Sequence, residues 1–230
     1  ENLTLKNVKF SIIFLILFAL SYSLASFDFL MSLSPHWYST MFAVYCFAGL
    51  FQSTLALSLI VTIKLVEKGF LKDTVNENHI HDIGKFLFAF TVFYAYIAFS
   101  QFMLIWYANI PEETVFYANR AHNGWMAVSY SLLVFKFIVP FLLLLPRAAK
   151  RDNGHLIRIS GLLLIMQWVD NYWLIYPNFN DGHLVFSYQE IGLFLGFLGL
   201  FLYSMTSFMS RNKLVAIKDP YIEEALHHHV

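Results

Sequence analysis

Apolar and polar positions fall into long blocks along this chain. Six blocks keep a mainly apolar character for about 20 residues, the length a helix needs to cross a hydrocarbon core of about 30 Å. They are approximately Val8–Phe27, Thr40–Val66, Ile83–Ala108, Asn123–Leu145, Leu156–Tyr176 and Phe186–Met209. The pattern predicts an all-α integral membrane fold, a six-helix transmembrane bundle over 1–209 with a polar tail over 210–230. Lys6 and Lys9 before the first block, and Ser23-Leu24-Ala25-Ser26 near its end, resemble a secretion signal. The run is long enough to span, which favours a membrane helix.

The cations between the blocks are unevenly divided. One side collects Lys6, Lys9, Lys64, Lys68, Lys72, Lys85, Arg147, Lys150, Arg151, Arg158, Arg211, Lys213 and Lys218, while the other holds Arg120. The positive-inside rule then puts both termini and the tail in the cytoplasm. The external connectors, Asp28–Ser39, Asn109–His122 and Pro177–Ser187, are edged by Trp37, Tyr38, Trp106, Tyr107, Trp173 and Tyr176, as interfacial belts are. They also carry Asp28, Glu112, Glu113 and Asp181, with Glu190 at the mouth of the last span, so the outer face is acidic.

Composition agrees with lipid as the solvent. Apolar residues make up 58% of the chain and charged ones 13%, against about 25% charged in a soluble domain. A formal net charge of +0 excludes a basic nucleic-acid surface. Cys46 is a lone thiol in an apolar run, which excludes an internal disulfide or a self-contained iron–sulfur site. His36, His79, His81, His122, His155 and His183 sit in connectors or at block ends, so no histidine is placed mid-span to ligate haem. The adjacent His227, His228 and His229 of the tail are weak metal ligands, because a real site fixes ligand geometry. We expect no metal and no redox cofactor on this chain.

Ionisable groups inside the blocks are the candidate chemistry, since each costs about 2.5–3.5 kcal/mol to insert. Lys136 lies ten residues before Pro146, roughly 15 Å from the boundary at 1.5 Å per residue, too deep to snorkel. Pro140 should displace the Lys136 carbonyl and kink the helix, suggesting a small polar cavity there. Ser129 and His122 precede Lys136 at successive spacings of seven, on one predicted face. Gln167, Asp170 and Asn171 form a polar face on the fifth span, with Asp170 the natural counter-ion. On the third span, Asp82 and Lys85 start a stripe continued by Tyr96 and Ser100, with Gln101 and Tyr94 on an adjacent face. Two readings stay open: helix-packing contacts worth about 1 kcal/mol each, or a discontinuous proton route from His79, His81 and Asp82 to an acidic exit at Glu112, Glu113 and Glu190.

The run HDIGKFLFAFTVFYAYIAFSQFMLIWYANIPEETVFY from His81 to Tyr117 resembles the membrane subunits of bacterial alternative complex III, within the NrfD-like, polysulfide-reductase-type quinone subunits. FDFLMSLSPHWYSTMFAVYCFAGLFQS and QWVDNYWLIYP are similar to the same family, and the tail EEALHHHV looks closest to the F-type subunit. The resemblance implies a quinol:cytochrome c, or electron-carrier, oxidoreductase in the bacterial inner membrane. It implies a longer subunit of which this chain is the C-terminal portion. It further implies quinone or quinol binding for an F-type subunit by its relation to the C-type one, haem and iron–sulfur clusters in partner subunits, and a C-type membrane subunit, lipids and a terminal oxidase as neighbours. His81, Asp82 and Lys85 match the family's HDxGK mouth, Ser100 and Gln101 its FSQF element, Glu112 and Glu113 its NIPEE loop, and Asp170 its fifth-span polar position. Glu112 and Glu113 are an acidic exit, a docking edge for partner subunits, or merely solvated. The expected function is support of quinol oxidation with proton conduction; a structural scaffold and a stand-alone proton-coupled transporter are the alternatives.

Overall fold

The computed structural model describes residues 2–71, 74–179, 183–215 and 222–226. Lys72, Asp181, Lys218 and His227 to His229 lie outside the described residues. Nine α-helices are present among those described: α1 Asn2–Phe29, α2 Phe42–Glu67, α3 Glu77–Ala108, α4 Pro111–Asn119, α5 Trp125–Ser131, α6 Val139–Leu144, α7 Asn153–Ile175, α8 Tyr188–Arg211 and α9 Ile222–Leu226. A π-helical stretch, Leu132–Ile138, joins α5 to α6 into one continuous rod. The fold is therefore all-helical over the described residues, and α1, α2, α3, the α5–α6 rod and α8 are long and apolar enough to cross a membrane. Helix α7 falls outside that set, since Gln167, Asp170, Asn171 and their aromatic neighbours interrupt its apolar run.

Local chemistry sets most of the helix ends. Asn76 caps α3, its side chain accepting from the backbone of Asn78 and His79 while His79 Nδ1 accepts from Asn76 N, which satisfies otherwise orphaned donors. Asn109 ends α3 in the left-handed region at φ 50°. Pro111 then starts a new helix: it sits in the first turn of α4, where its fixed φ and missing N–H cost nothing. The third span ends at Ala108, as read from the sequence, and the connector Asn109–His122 contains a helix of its own that the sequence reading did not include. Asn123 and Gly124 take φ 54° and 90°, turning the chain sharply into α5.

Pro140, where a kink and a polar cavity were expected, is accompanied by a change of helical winding. It cannot donate to Lys136, and the helix widens into π winding in which the Val139 N–H bonds to the Val134 carbonyl, five residues back. The rod continues, and Lys136 within it has no exposed surface.

Helix α2 packs most extensively against α3 and α7, and the rod packs on α3 and α7. Helices α1 and α8 stay largely exposed along their apolar lengths. The core divides in two. Toward the α3–α4 end it is aromatic, with Trp37, Phe42, Tyr45, Tyr94, Phe116, Trp125 and Trp173. Toward the α2–α3 end it is aliphatic, with Ala56, Leu59, Ile63, Leu87, Leu144, Leu156 and Leu163. In lipid, apolar burial gains little because the tails are as apolar as leucine; close packing and polar contacts must fix helix register. The buried polar groups are therefore the informative part of this core.

Candidate functional site: a buried ion pair with a tyrosine relay

Beside the aromatic half of the core, α2, α3, the π stretch and α7 each contribute a polar side chain. Lys136 Nζ lies 2.7 Å from Asp170 Oδ2 and 2.8 Å from Gln167 Oε1. Its ammonium also stands over the Tyr94 ring, 3.7 Å from the centroid. Two N–H groups are thus hydrogen-bonded, and a π face meets the ammonium. Asp170 uses its other oxygen to accept from the Tyr45 hydroxyl at 2.5 Å, and the Tyr45 and Tyr94 hydroxyls are 2.8 Å apart. Gln167 Nε2 continues outward to Asn171 Oδ1 at 3.3 Å.

The pair is sealed: Lys136 and Asp170 have side-chain exposures of 0% and 1%. At such burial the desolvation cost is offset only by good geometry and full hydrogen bonding, both present here. Tyr45 has one proton and gives it to Asp170, so Tyr94 donates inward to Tyr45 Oη. The result is a directed hydrogen-bonded line, Tyr94 to Tyr45 to Asp170 to Lys136, joining two titratable groups in an apolar medium. Groups in such a line can exchange a proton without moving far.

Close approach of α2 to α7 makes room for Gln167. A Cβ added to Gly49 would stand 2.7 Å from Gln167 Oε1. We therefore expect Gly49→Ala to displace the Gln167 amide from Lys136 and to cost about 1.5 kcal/mol, the low end for a bond to a charged group. Gly161→Ala, which meets nothing within 4 Å, should change little. Unfolding of the two variants in detergent, followed by circular dichroism, checks this.

The other sequence-read candidates are dispersed. Ser129 accepts from Trp173 Nε1 at 2.8 Å, but His122 lies exposed in the turn before α5, so the three-residue face does not extend to it. Asp82 and Lys85 pair with each other at 2.7 Å at the α2–α3 end. Tyr96 is 64% exposed and points out of the bundle, away from the pair, with Ser100 half-buried. The Asp82–Lys85–Tyr96–Ser100 stripe therefore does not line the interior, because helical spacing alone cannot say which stripe faces in. His81 is 4% exposed and neither ring nitrogen has a hydrogen-bond partner. Between it and the pair, Gln52 Nε2 donates to Thr91 Oγ1 at 3.0 Å, but Leu87, Leu156 and Leu163 fill the intervening space. The polar route read from the sequence is interrupted at this aliphatic layer.

At the α3–α4 end, Glu112 and Glu113 occupy the first turn of α4, where carboxylates favour the helix dipole. Glu190 is engaged in capping α8: Oε2 accepts from the Ser187 N–H at 2.8 Å and Oε1 from the Tyr176 hydroxyl at 2.6 Å. Two residues without a sequence role are central. Tyr45 was given no role from the sequence, and Arg120 was only counted as the cation of the outer side. Arg120 is only 2% exposed and donates to the Trp173, Phe116 and Leu174 carbonyls at 3.1, 2.8 and 2.9 Å. Burial pulls its guanidinium down to about 9, which leaves it charged at neutral pH.

No protein-family model and no curated protein matches this chain.

Proposed function

We propose that this chain is a non-haem membrane subunit of a bacterial quinol-oxidising respiratory complex of the alternative complex III type, and that it carries protons for it. The observation that carries the reading is the sealed Lys136–Asp170 pair with Tyr45 and Tyr94 bonded in series. Intramembrane ionisable groups are expensive and recur in proton relays. The assignment to a quinol complex rests on the resemblance of the His81–Tyr117 and Gln167–Pro177 segments. In this reading the protein crosses the inner membrane six times, α7 included, with the α2–α3 end and both termini cytoplasmic. Electrons pass through haem and iron–sulfur partners, alongside a C-type membrane subunit, and this chain binds no redox centre.

The relay occupies the half of the bundle toward the outer face. Protons reaching it from the cytoplasm must cross the aliphatic layer around Leu87 and Leu156, near which His81 and Ser160 keep unpartnered buried polar atoms. Water entering beside those groups is the connection this reading requires. The same layer favours a second reading, in which the pair only fixes helix register and the subunit is a scaffold.

Purification of the assembly from native membranes through this chain tests the assignment. Haem c and iron–sulfur signals should travel with it, together with quinol-dependent reduction of an electron carrier. A chain that purifies free of redox proteins contradicts the reading and leaves a stand-alone transporter.

A further inference from the structure

The first turns of α3 lean against the turn that follows the rod, Ala148–Lys150: a Cβ added to Gly84 would stand 3.6 Å from Lys150 Cβ. This contact gathers charges at the α2–α3 end. Lys85, Arg147 and Arg151 all stand close enough to the His81 ring for their charges to act on it. Two acids share the neighbourhood, and both are engaged. Asp82 pairs with Lys85 at 2.7 Å, and Asp152 caps α7 by accepting from His155 N at 3.1 Å. Lys150 is occupied too, donating to the Leu144, Leu145 and Pro146 carbonyls at 2.6, 3.0 and 3.3 Å. Arg147 and Arg151 are exposed, and their guanidinium groups have no hydrogen bond or ion pair among the described residues.

Exposed arginines at the edge of a membrane bundle are ordinary. His81 is not. It is 4% exposed, and both ring nitrogens are buried without a hydrogen-bond partner. Asp82 Oδ1 is 4.0 Å from Nδ1, beyond bonding range. An imidazole offers a donor and an acceptor, or two donors when charged, and native proteins seldom bury one with neither used. A water molecule would satisfy a nitrogen but leave the converging cations unbalanced. An anion with several oxygens does both, accepting from a ring N–H and from arginine forks.

The surroundings select the anion. Phe88 on α3 and Phe141 on the rod stack at 5.5 Å, so the two elements run side by side next to the charges. Phe86 on α3 and Leu142 and Leu145 on the rod are all more than half exposed, which leaves apolar surface on both for acyl chains. Basic pockets between helices at a membrane surface hold lipid head groups in this way. We infer that this end of the bundle binds one anionic phospholipid, its phosphodiester held by His81, Arg147 and Arg151 and its acyl chains lying along α3 and the rod. The inference goes beyond the proposed function and needs only that the α2–α3 end lies at a membrane surface.

A photoreactive phosphatidylglycerol, with its reactive group beside the phosphate, tests the site. It is added to phosphatidylcholine vesicles holding the protein purified through this chain, with whatever subunits accompany it. After illumination, labelled peptides are mapped by mass spectrometry. Labelling is expected in residues 81–90 or 142–151, competed by unlabelled phosphatidylglycerol and not by inorganic phosphate. It should fall about tenfold when Arg147→Gln and Arg151→Gln are combined, and likewise in His81→Leu. If His81→Leu does not fold, the exposed arginine pair decides. Arg211→Gln with Lys213→Gln removes the same charge after α8 and should leave the labelling unchanged. Equal loss in both double variants would mean diffuse attraction to a basic surface, and competition by inorganic phosphate a free-anion site. Either result overturns the inference, as does labelling that is absent, uncompeted or indifferent to the arginine pair.

Discussion

Lys136→Met and Asp170→Asn, made singly, are expected to destabilise the bundle by about 3–5 kcal/mol each, because breaking a buried pair strands its partner in an apolar medium. The Met variant leaves the Asp170 carboxylate with Tyr45 alone, and the Asn variant leaves the ammonium against Gln167 and the Tyr94 ring. The double variant removes both charges and should cost clearly less than the sum. A double-mutant cycle, read from reversible unfolding in mixed micelles by tryptophan fluorescence, measures that coupling. Additive losses would mean that the two groups do not act as a pair.

Arg120→Met should cost about 4–5 kcal/mol, three charge-assisted bonds at the low end of their range. Arg120 joins the carbonyl end of α7 to the last turn of α4, and its guanidinium lies 3.5 Å from the Phe116 ring centroid. Three carbonyls converge on one planar fork, so Arg120→Lys should recover little. The loss should concentrate at the α3–α4 end, exposing the α4 and α7 C-terminal amides to hydrogen exchange while the α2–α3 end stays protected. Uniform exchange across the bundle would contradict this account of Arg120.

Some of this structure was legible in the sequence and some was not, for identifiable reasons. The long apolar helices follow from hydropathy, because lipid leaves the backbone no alternative to internal hydrogen bonding. Lys136 and Asp170 stood out because charge at membrane depth is costly, and their facing positions followed from polar spacing on α7. Tyr96 was misplaced because helices in lipid are apolar all round, so their hydrophobic pattern does not point inward. Helix α4 was missed because Pro111 starts a helix as readily as it ends one. The π stretch depends on how the chain accommodates Pro140, a tertiary choice with no local signature. Tyr45 and Arg120 carried no signal, since an edge tyrosine and a connector arginine are ordinary in isolation.

Proton yield per electron is the most direct test of the relay. Sealed liposomes holding the intact complex, wild type or Asp170→Asn, would be given a pulse of quinol while proton movement and carrier reduction are recorded together. The account expects Asp170→Asn to keep electron transfer and subunit content while losing the protons moved beyond those released by quinol oxidation itself. An unchanged proton yield at equal turnover would contradict it and leave the buried pair as helix packing.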